Sequence, residues 1–191
     1  MNETYTKEYY EIRPLEHKHF IECLLYLDYF EPKKILDVGC GNGHRVFTMV
    51  NYESDAYGID IEPAIFTSPY LNESNPYYEL MKNRLKASSI THIPFDDREF
   101  DLVIAYDVLE HLTFEQLELA LKEISRVSNK YVLFSIPFLG DPNLERDPTH
   151  KIFRTKQWWI SEIQRYFRIE ETPSHFLFKH QLLVGEKWKN L

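Results

Sequence analysis

Three glycines that alternate with other residues directly after an apolar run are the most informative feature of the sequence. Gly39, Gly41 and Gly43 follow residues 34–38, KILDV, which has the composition of a short buried strand. Glycine lets the backbone turn tightly and lets a ligand approach it closely. A strand followed by such a turn indicates a site for a nucleotide-like ligand.

The spacing of these glycines separates two kinds of nucleotide-like ligand. The dinucleotide fingerprint is GxGxxG, and here its third glycine would fall at His44 or Val46. The sequence instead has GxGxG, with an acid, Asp37, two residues before the first glycine. The pattern therefore disfavours a nicotinamide oxidoreductase.

Alternating strands and helices would place this turn at the edge of a sheet. The apolar patterns predict strands over residues 34–38, 56–61, 101–107, 131–138, 167–171 and 175–184. Helices are predicted over 14–30, 45–50, 77–84, 113–127 and 157–166. This alternation is typical of a mostly parallel sheet covered on both faces. The last two strands are too close for a crossover helix, so they should pair antiparallel.

Further acidic and aromatic side chains fall where the predicted strands end. Asp60 lies at the end of strand 56–61, and Tyr106 and Asp107 close strand 101–107. Ligands of open α/β sheets bind beyond the carboxyl ends of the strands. We therefore expect these residues to lie near the glycine turn.

The composition indicates one acidic globular domain. The chain has 191 residues, of which 43% are apolar and 27% charged, and its net charge is −8. We predict a single domain over residues 1–191, with a helical segment over 1–32, a cofactor-binding core over 33–138 and a loop, helix and strand pair over 139–191. General polyanion binders carry the opposite charge, so nucleic acid is not an expected partner.

Cysteine usage and the amino-terminal residues predict a cytoplasmic protein. Cys23 and Cys40 are predicted to be buried, reduced thiols, and no CxxC pair is present for zinc. Residues 1–13 lack the apolar segment of a secretory signal. No apolar run approaches the roughly 20 residues of a membrane helix. The spacing of the histidines predicts no metal site.

Four segments, in order, resemble the motifs of the class I S-adenosylmethionine-dependent methyltransferases. DVGCGNG at 37–43 is similar to their first motif, and SSITHIPFDDREFDLV at 88–103 is similar to a segment written GDAxxLPFxDxSFDLV. YDVLEHL at 106–112 resembles the family's post-strand segment, and DPTHKIFRT at 147–155 resembles a segment of many small-molecule members. The resemblance covers about residues 30–170.

The resemblance implies a Rossmann-like, doubly wound α/β fold whose seven-stranded, mostly parallel sheet has an antiparallel last strand. It implies S-adenosylmethionine as the cofactor and S-adenosylhomocysteine as its product. The residues that match cofactor-binding positions are Asp37, Gly39, Cys40, Gly41, Asn42, Gly43, Asp60, Ile61, Ser89, Ile90, Tyr106 and Asp107. Ser89 stands where the family has Asp.

The chemistry of the cofactor suits these positions. S-adenosylmethionine has a sulfonium, an ammonium and a carboxylate, so its site must contact both signs of charge. Asp37 could receive the ammonium, and Asp60 could accept two hydrogen bonds from the ribose diol. Ile61 offers an apolar face to adenine, and Ser89 could bond its amino edge.

Two histidines are candidate general bases for the methyl acceptor. A base helps if the acceptor is a hydroxyl or a protonated amine. His111 follows a strand end and His150 lies in the loop after strand 131–138, although either could equally be structural. The segment 141–156 holds four bases against three acids. Lys151 or Arg154 could therefore steer an anionic acceptor.

We predict methyl transfer from S-adenosylmethionine to a small-molecule acceptor, through an oxygen or nitrogen nucleophile, by in-line displacement. Two alternatives remain open: a protein or nucleic-acid methyltransferase, and a non-catalytic module that binds the cofactor. Enzymes that methylate base amines carry an NPPY-like tetrapeptide after the strand at 101–107, where this chain has AYDV. The sequence marks no oligomeric interface.

Overall fold

A seven-stranded sheet with helices packed around it forms the frame of the computed structural model, which describes residues 17–61, 65, 68–170 and 182–187. Its strands are β1 (Lys34–Val38), β2 (Asp55–Asp60), β3 (Leu85–Ala87), β4 (Phe100–Tyr106), β5 (Ser128–Ser135), β6 (Phe167–Glu170) and β7 (Leu182–Lys187). Its helices are α1 (His17–Phe30), α2 (His44–Asn51), α3 (Tyr78–Met81), α4 (Phe114–Val127), α5 (Pro142–Arg146) and α6 (Lys156–Ile163). Short 3₁₀ turns span Pro69–Leu71 and Leu109–His111.

The strand order is β3-β2-β1-β4-β5-β7-β6. β1 pairs parallel with both β2 and β4, and β4 pairs parallel with β5. β7 pairs antiparallel with both β5 and β6. The predicted doubly wound sheet with an antiparallel last strand is therefore confirmed. The chain winds outward in opposite directions from β1 and β4, so the ligand-binding crevice of this topology lies where these two strands end.

Apolar residues of the sheet contribute to two cores. Leu36 of β1 belongs to a cluster that includes the buried face of α4. Its neighbour Ile35 belongs to a second cluster, which includes residues of α1 and α2. Because strand side chains alternate between faces, a sheet that is covered on both sides needs apolar residues at nearly every position. This explains the continuous apolar run over residues 102–106 of β4.

Several predicted boundaries were wrong for identifiable reasons. β3 was missed because it has three residues, of which only Leu85 is buried. β5 starts three residues before the predicted start at residue 131. It also ends three residues before the predicted end at residue 138, because Pro137 has no N–H for a strand ladder, although Phe138 stays buried beyond the strand. β7 ends at Lys187, beyond the predicted 184, and residues 171–181 lie outside the described part.

The segments around α4 and β5 depart from the prediction in two further details. The helical spacing of apolar residues over 113–127 predicts Phe114 on the core face of α4, but its side chain is 48% exposed because it lies in the first turn. Residues 141–156, expected to be a loop, contain the short helix α5. Cys23 and Cys40 are both free and buried, as predicted. None of the helices in the described ranges has the length and apolarity that crossing a membrane requires.

Helix α4 begins with a reciprocal capping box. Thr113 Oγ accepts the Gln116 N–H at 3.3 Å, and Gln116 Oε1 accepts the Thr113 N–H at 2.9 Å. Thr113→Ala should therefore lower the free energy of unfolding by about 1 kcal/mol, measured by urea denaturation. Thr113→Ser, which keeps the hydroxyl, is the matched control. Equal stability of the Ala and Ser variants would contradict this prediction.

Candidate functional site

The glycine turn is attached to the neighbouring strand. The N–H groups of Gly39 and Cys40 both donate to the carbonyl oxygen of Ile59, at 2.9 and 3.0 Å. Gly39 has a φ of +75°, and a Cβ there would lie 2.8 Å from Val108. Position 39 therefore requires glycine for both its backbone angle and its close packing.

Asp60 points its carboxylate at the same turn. Its Oδ2 accepts the Gly41 N–H and its Oδ1 accepts the Ile61 N–H, both at 2.7 Å. Burial raises the pKa of Asp60 to about 6, although the two backbone N–H donors oppose the shift. The next side chain, Ile61, is 48% exposed at the edge of the sheet. An acid and an apolar surface thus lie side by side beyond β2.

Asp37, expected to meet a ligand ammonium, is 0% exposed. Its Oδ2 lies 3.5 Å from Nη1 of Arg45, whose guanidinium lies 4.4 Å from the ring centre of Tyr106. Burial raises the pKa of Asp37, and Arg45 opposes that shift. Sequence reasoning missed Arg45, although it occupies the first turn of the helix after the glycines.

Tyr106 and Asp107 end β4 in different environments. The Tyr106 hydroxyl donates to Oε1 of Glu22 in α1 at 3.2 Å, so this side chain packs into the protein. Asp107 is exposed and has a positive φ of 52°. Its Oδ1 accepts the Ser135 hydroxyl at 2.7 Å, which ties the end of β4 to the end of β5. Of the two residues, Asp107 is the one presented to solvent.

The remaining predicted cofactor residues surround the turn. Ser89 is half-buried and shares a hydrogen bond with Thr91 Oγ1 at 2.8 Å, while Ile90 is buried. Asn42 accepts a hydrogen bond from Ser68 Oγ at its carbonyl oxygen, at 2.7 Å. Ser89 and Ile90 follow β3, and Asn42 belongs to the glycine turn, so they lie at the carboxyl edges of β3 and β1.

Residues 68–78 are anchored over the start of α2. Tyr70 is buried, its hydroxyl lies 2.7 Å from Nδ1 of His44, and its ring stacks on Phe47 at 4.3 Å. Tyr77 also contacts Phe47, edge to face. The aromatic side chains of Tyr70 and Tyr77 thus attach this connection to α2. Residues 62–64, 66 and 67 lie outside the described ranges.

The structure brings His111 and His150 together, with ring centres 4.6 Å apart. His111 Nδ1 lies 2.8 Å from Thr149 Oγ1, and His150 Nδ1 lies 2.8 Å from the Leu144 carbonyl oxygen. Burial, and secondarily His150, lowers the pKa of His111 to about 4. Beside them lies Glu110, a fully buried acid that sequence reasoning did not assign to the site. The position of Glu110 among apolar residues in the turn after β4 could have identified it from the sequence.

The two basic residues proposed to steer the acceptor are at the surface. Lys151 and Arg154 are both exposed. The Arg154 guanidinium lies 5.2 Å from the ring centre of Phe114 and 5.6 Å from that of Trp158. Arg154 and the two rings therefore form one mixed cationic and aromatic patch.

Comparison with known proteins places the chain in a family. Residues 36–134 match the sequence profile of a methyltransferase domain. The chain is 33% identical, over 171 residues, to a tRNA U34 carboxymethyltransferase of Nautilia profundicola, with 84% of this chain and 52% of the relative covered. It is 28% identical, over 106 residues, to a ubiquinone biosynthesis O-methyltransferase of Alkalilimnicola ehrlichii, with 56% and 41% covered. The chain thus spans about half the length of these relatives.

A solved structure confirms the fold. An S-adenosylmethionine-dependent methyltransferase from Archaeoglobus fulgidus superimposes with a TM-score of 0.66 at 16% identity, covering 90% of this chain and 94% of its own. Likeness at this identity concerns the fold alone. The profile match shows that the chain belongs to the methyltransferase domain family, and the superposition shows that it has the fold of the class I S-adenosylmethionine-dependent methyltransferases.

Proposed function

We propose that the chain binds S-adenosylmethionine at the carboxyl edge of β1, β2 and β4 and transfers its methyl group to a small-molecule acceptor. The observation that carries the proposal is the junction of the glycine turn with Asp60. Gly41 orients that carboxylate at 2.7 Å, and Gly39 leaves no space for a side chain between the turn and Val108.

The residues at this edge fit the cofactor. Asp60 is an ionisable acceptor for a ribose diol, and exposed Ile61 provides an apolar surface for adenine. Asp107 adds a negative charge at the end of β4, suited to the cationic part of the ligand. When bound, the cofactor supplies a methyl group whose bond to sulfur breaks as an acceptor oxygen or nitrogen attacks in line.

The arrangement around His111 supports proton removal from the acceptor. Thr149 donates its hydroxyl proton to Asp147 Oδ1 at 2.5 Å, so its oxygen accepts from Nδ1 of His111. The ring is therefore protonated at Nδ1 and carries its lone pair at Nε2. Because burial lowers the pKa of His111 to about 4, the ring is neutral near pH 7 and can accept a proton at Nε2, but as a weaker base than an ordinary histidine.

An RNA acceptor is the second candidate, and two observations favour it. The relative named as a tRNA U34 carboxymethyltransferase aligns with 84% of this chain. The patch of Phe114, Trp158 and Arg154 offers the stacking surface and cation that an unpaired base would use. The expectation against nucleic acid rests on net charge and on AYDV in place of an NPPY-like tetrapeptide, and it carries less weight than these observations.

Calorimetry with S-adenosylmethionine and with NAD tests the cofactor. We expect one equivalent of S-adenosylmethionine to bind and NAD not to bind; failure of the first would refute the proposed function. Cell extract would then be divided into small-molecule and RNA fractions and incubated with protein and cofactor. Formation of S-adenosylhomocysteine only with the small-molecule fraction supports the first candidate. Formation only with the RNA fraction would replace it with the second.

A further inference from the structure

We propose that Glu110, His111 and His150 form a binding site for a divalent transition-metal ion beside the acceptor side of the sheet. One ligand atom from each residue lies within 4.8 Å of the other two. Oε1 of Glu110 is 3.8 Å from Nε2 of His150. The metal site stands on this cluster alone, and only its part in catalysis rests on the proposed function.

Glu110 is the strongest indication of a cation site. Its side chain is 0% exposed, and neither carboxylate oxygen has a hydrogen-bond partner among the described residues. A buried carboxylate without donors is costly, whereas a metal ion satisfies it directly. Asp107 and Asp147 add negative potential at Glu110, which further favours a cation there.

In both histidines Nδ1 donates a hydrogen bond to an oxygen of the protein, which is typical of histidines that bind a metal through Nε2. The Nδ1–H of His150 donates to the Leu144 carbonyl oxygen at 2.8 Å. The Nδ1–H of His111 donates to Thr149 Oγ1 at 2.8 Å, and that hydroxyl donates in turn to Asp147. Such contacts fix the ring orientation and the tautomer in which Nε2 carries the lone pair, as in metal-ligating histidines.

The backbone fixes the three residues relative to one another. Glu110 and His111 share the 3₁₀ turn Leu109–His111 directly after β4. The N–H groups of Lys151 and Ile152 donate to the Glu110 carbonyl oxygen at 2.8 and 3.1 Å. These bonds tie the loop that carries His150 to the turn that carries the other two ligands, so the backbone keeps the three residues close together.

Two imidazole nitrogens and one carboxylate oxygen are a set typical of Zn²⁺ or Fe²⁺ rather than of Ca²⁺ or Mg²⁺, which prefer oxygen ligands. Metal–ligand bonds of about 2.0–2.2 Å require the side chains to approach by roughly 1–1.5 Å, which side-chain rotation can supply. Three protein ligands leave an open coordination position. With the ion bound, His111 is a ligand and no longer a base, and an acceptor hydroxyl at the open position would lose its proton to solvent more readily.

Cobalt(II) titration of chelator-treated protein, followed by visible absorption, tests the site. We expect one equivalent to bind with a spectrum of nitrogen and oxygen ligation, and Zn²⁺ to displace it. Glu110→Gln and His150→Ala should each weaken binding at least tenfold, so a folding defect in one variant leaves the other informative. His92→Ala, which removes an exposed histidine outside the cluster, is the matched control and should bind like the unchanged protein.

The outcomes separate the metal site from the proposed function. Cobalt binding that is absent, or that is equally strong in the Glu110→Gln and His150→Ala variants, overturns the metal site. Calorimetry with S-adenosylmethionine on the same metal-free protein tests the cofactor separately. Cobalt binding without cofactor binding would support the metal site and refute the proposed function. Cofactor binding without cobalt binding would do the reverse.

Discussion

Replacing Arg45 with Met should lower the free energy of unfolding by about 3–5 kcal/mol, because the substitution leaves the Asp37 carboxylate buried without its cation. Arg45 is 6% exposed and Asp37 is 0% exposed, so water cannot replace the lost partner. The Met side chain keeps most of the apolar volume of the arginine stem. The decrease in the free energy of unfolding, measured by urea denaturation, should therefore come mainly from the unpaired charge of Asp37.

Two further variants separate charge from packing. Adding Asp37→Asn to Arg45→Met removes the stranded charge, so the double variant should be more stable than Arg45→Met alone. Arg165→Met removes an arginine from an exposed pair with Glu162, at 2.9 Å, and should unfold like the unchanged protein. If Arg45→Met is as stable as Arg165→Met, the buried pair does not have the role described.

Asp60→Ala should weaken S-adenosylmethionine binding about 100-fold, which corresponds to about 3 kcal/mol. The substitution removes two charge-assisted hydrogen bonds to the ribose, each worth about 1.5–3 kcal/mol in a buried setting. Calorimetry measures the loss. Asp55→Asn is the matched control, since it lies at the other end of β2, paired with Arg84, and should leave the affinity unchanged.

The same carboxylate gives the binding a defined pH dependence. The ionised form of Asp60 accepts the ribose hydroxyls, and burial raises its pKa to about 6 in the free protein. Affinity should therefore be highest above pH 7 and fall as pH decreases through about 6, where the carboxylate is protonated. Asp60→Asn should bind more weakly and show no such transition. A transition that persists in Asp60→Asn would assign it to another group.

The fold was largely predictable because most strands of this sheet are buried on both faces. β1 was placed at its observed bounds, since KILDV is apolar at three of its five positions and is followed at once by glycine. β3 was not predicted, because it lies at the edge of the sheet and only Leu85 of its three residues is buried, so it has no apolar run. The end of β5 was misplaced because burial continues through Phe138 after the ladder has stopped.

The site was predictable in its residue types but not in its pairings. Asp60 and the glycines follow strands, so topology alone brings them to one edge. The ion pair between Asp37 and Arg45 depends on the direction in which α2 extends from the glycine turn, and the spacing of residues in the sequence does not determine that direction. The meeting of Glu110 with His150 depends on a loop whose course is set by backbone hydrogen bonds to Glu110. These contacts between distant segments are tertiary and have no local signature.

The double hydrogen bond from Gly39 and Cys40 to the Ile59 carbonyl oxygen has a kinetic consequence. The turn is held in shape by β2 before any ligand arrives, so association need not wait for the loop to order itself. Little conformational entropy is then lost on binding. The encounter rate is expected to be set by diffusion into the crevice, and differences in affinity among nucleoside ligands should appear mainly in how long each remains bound.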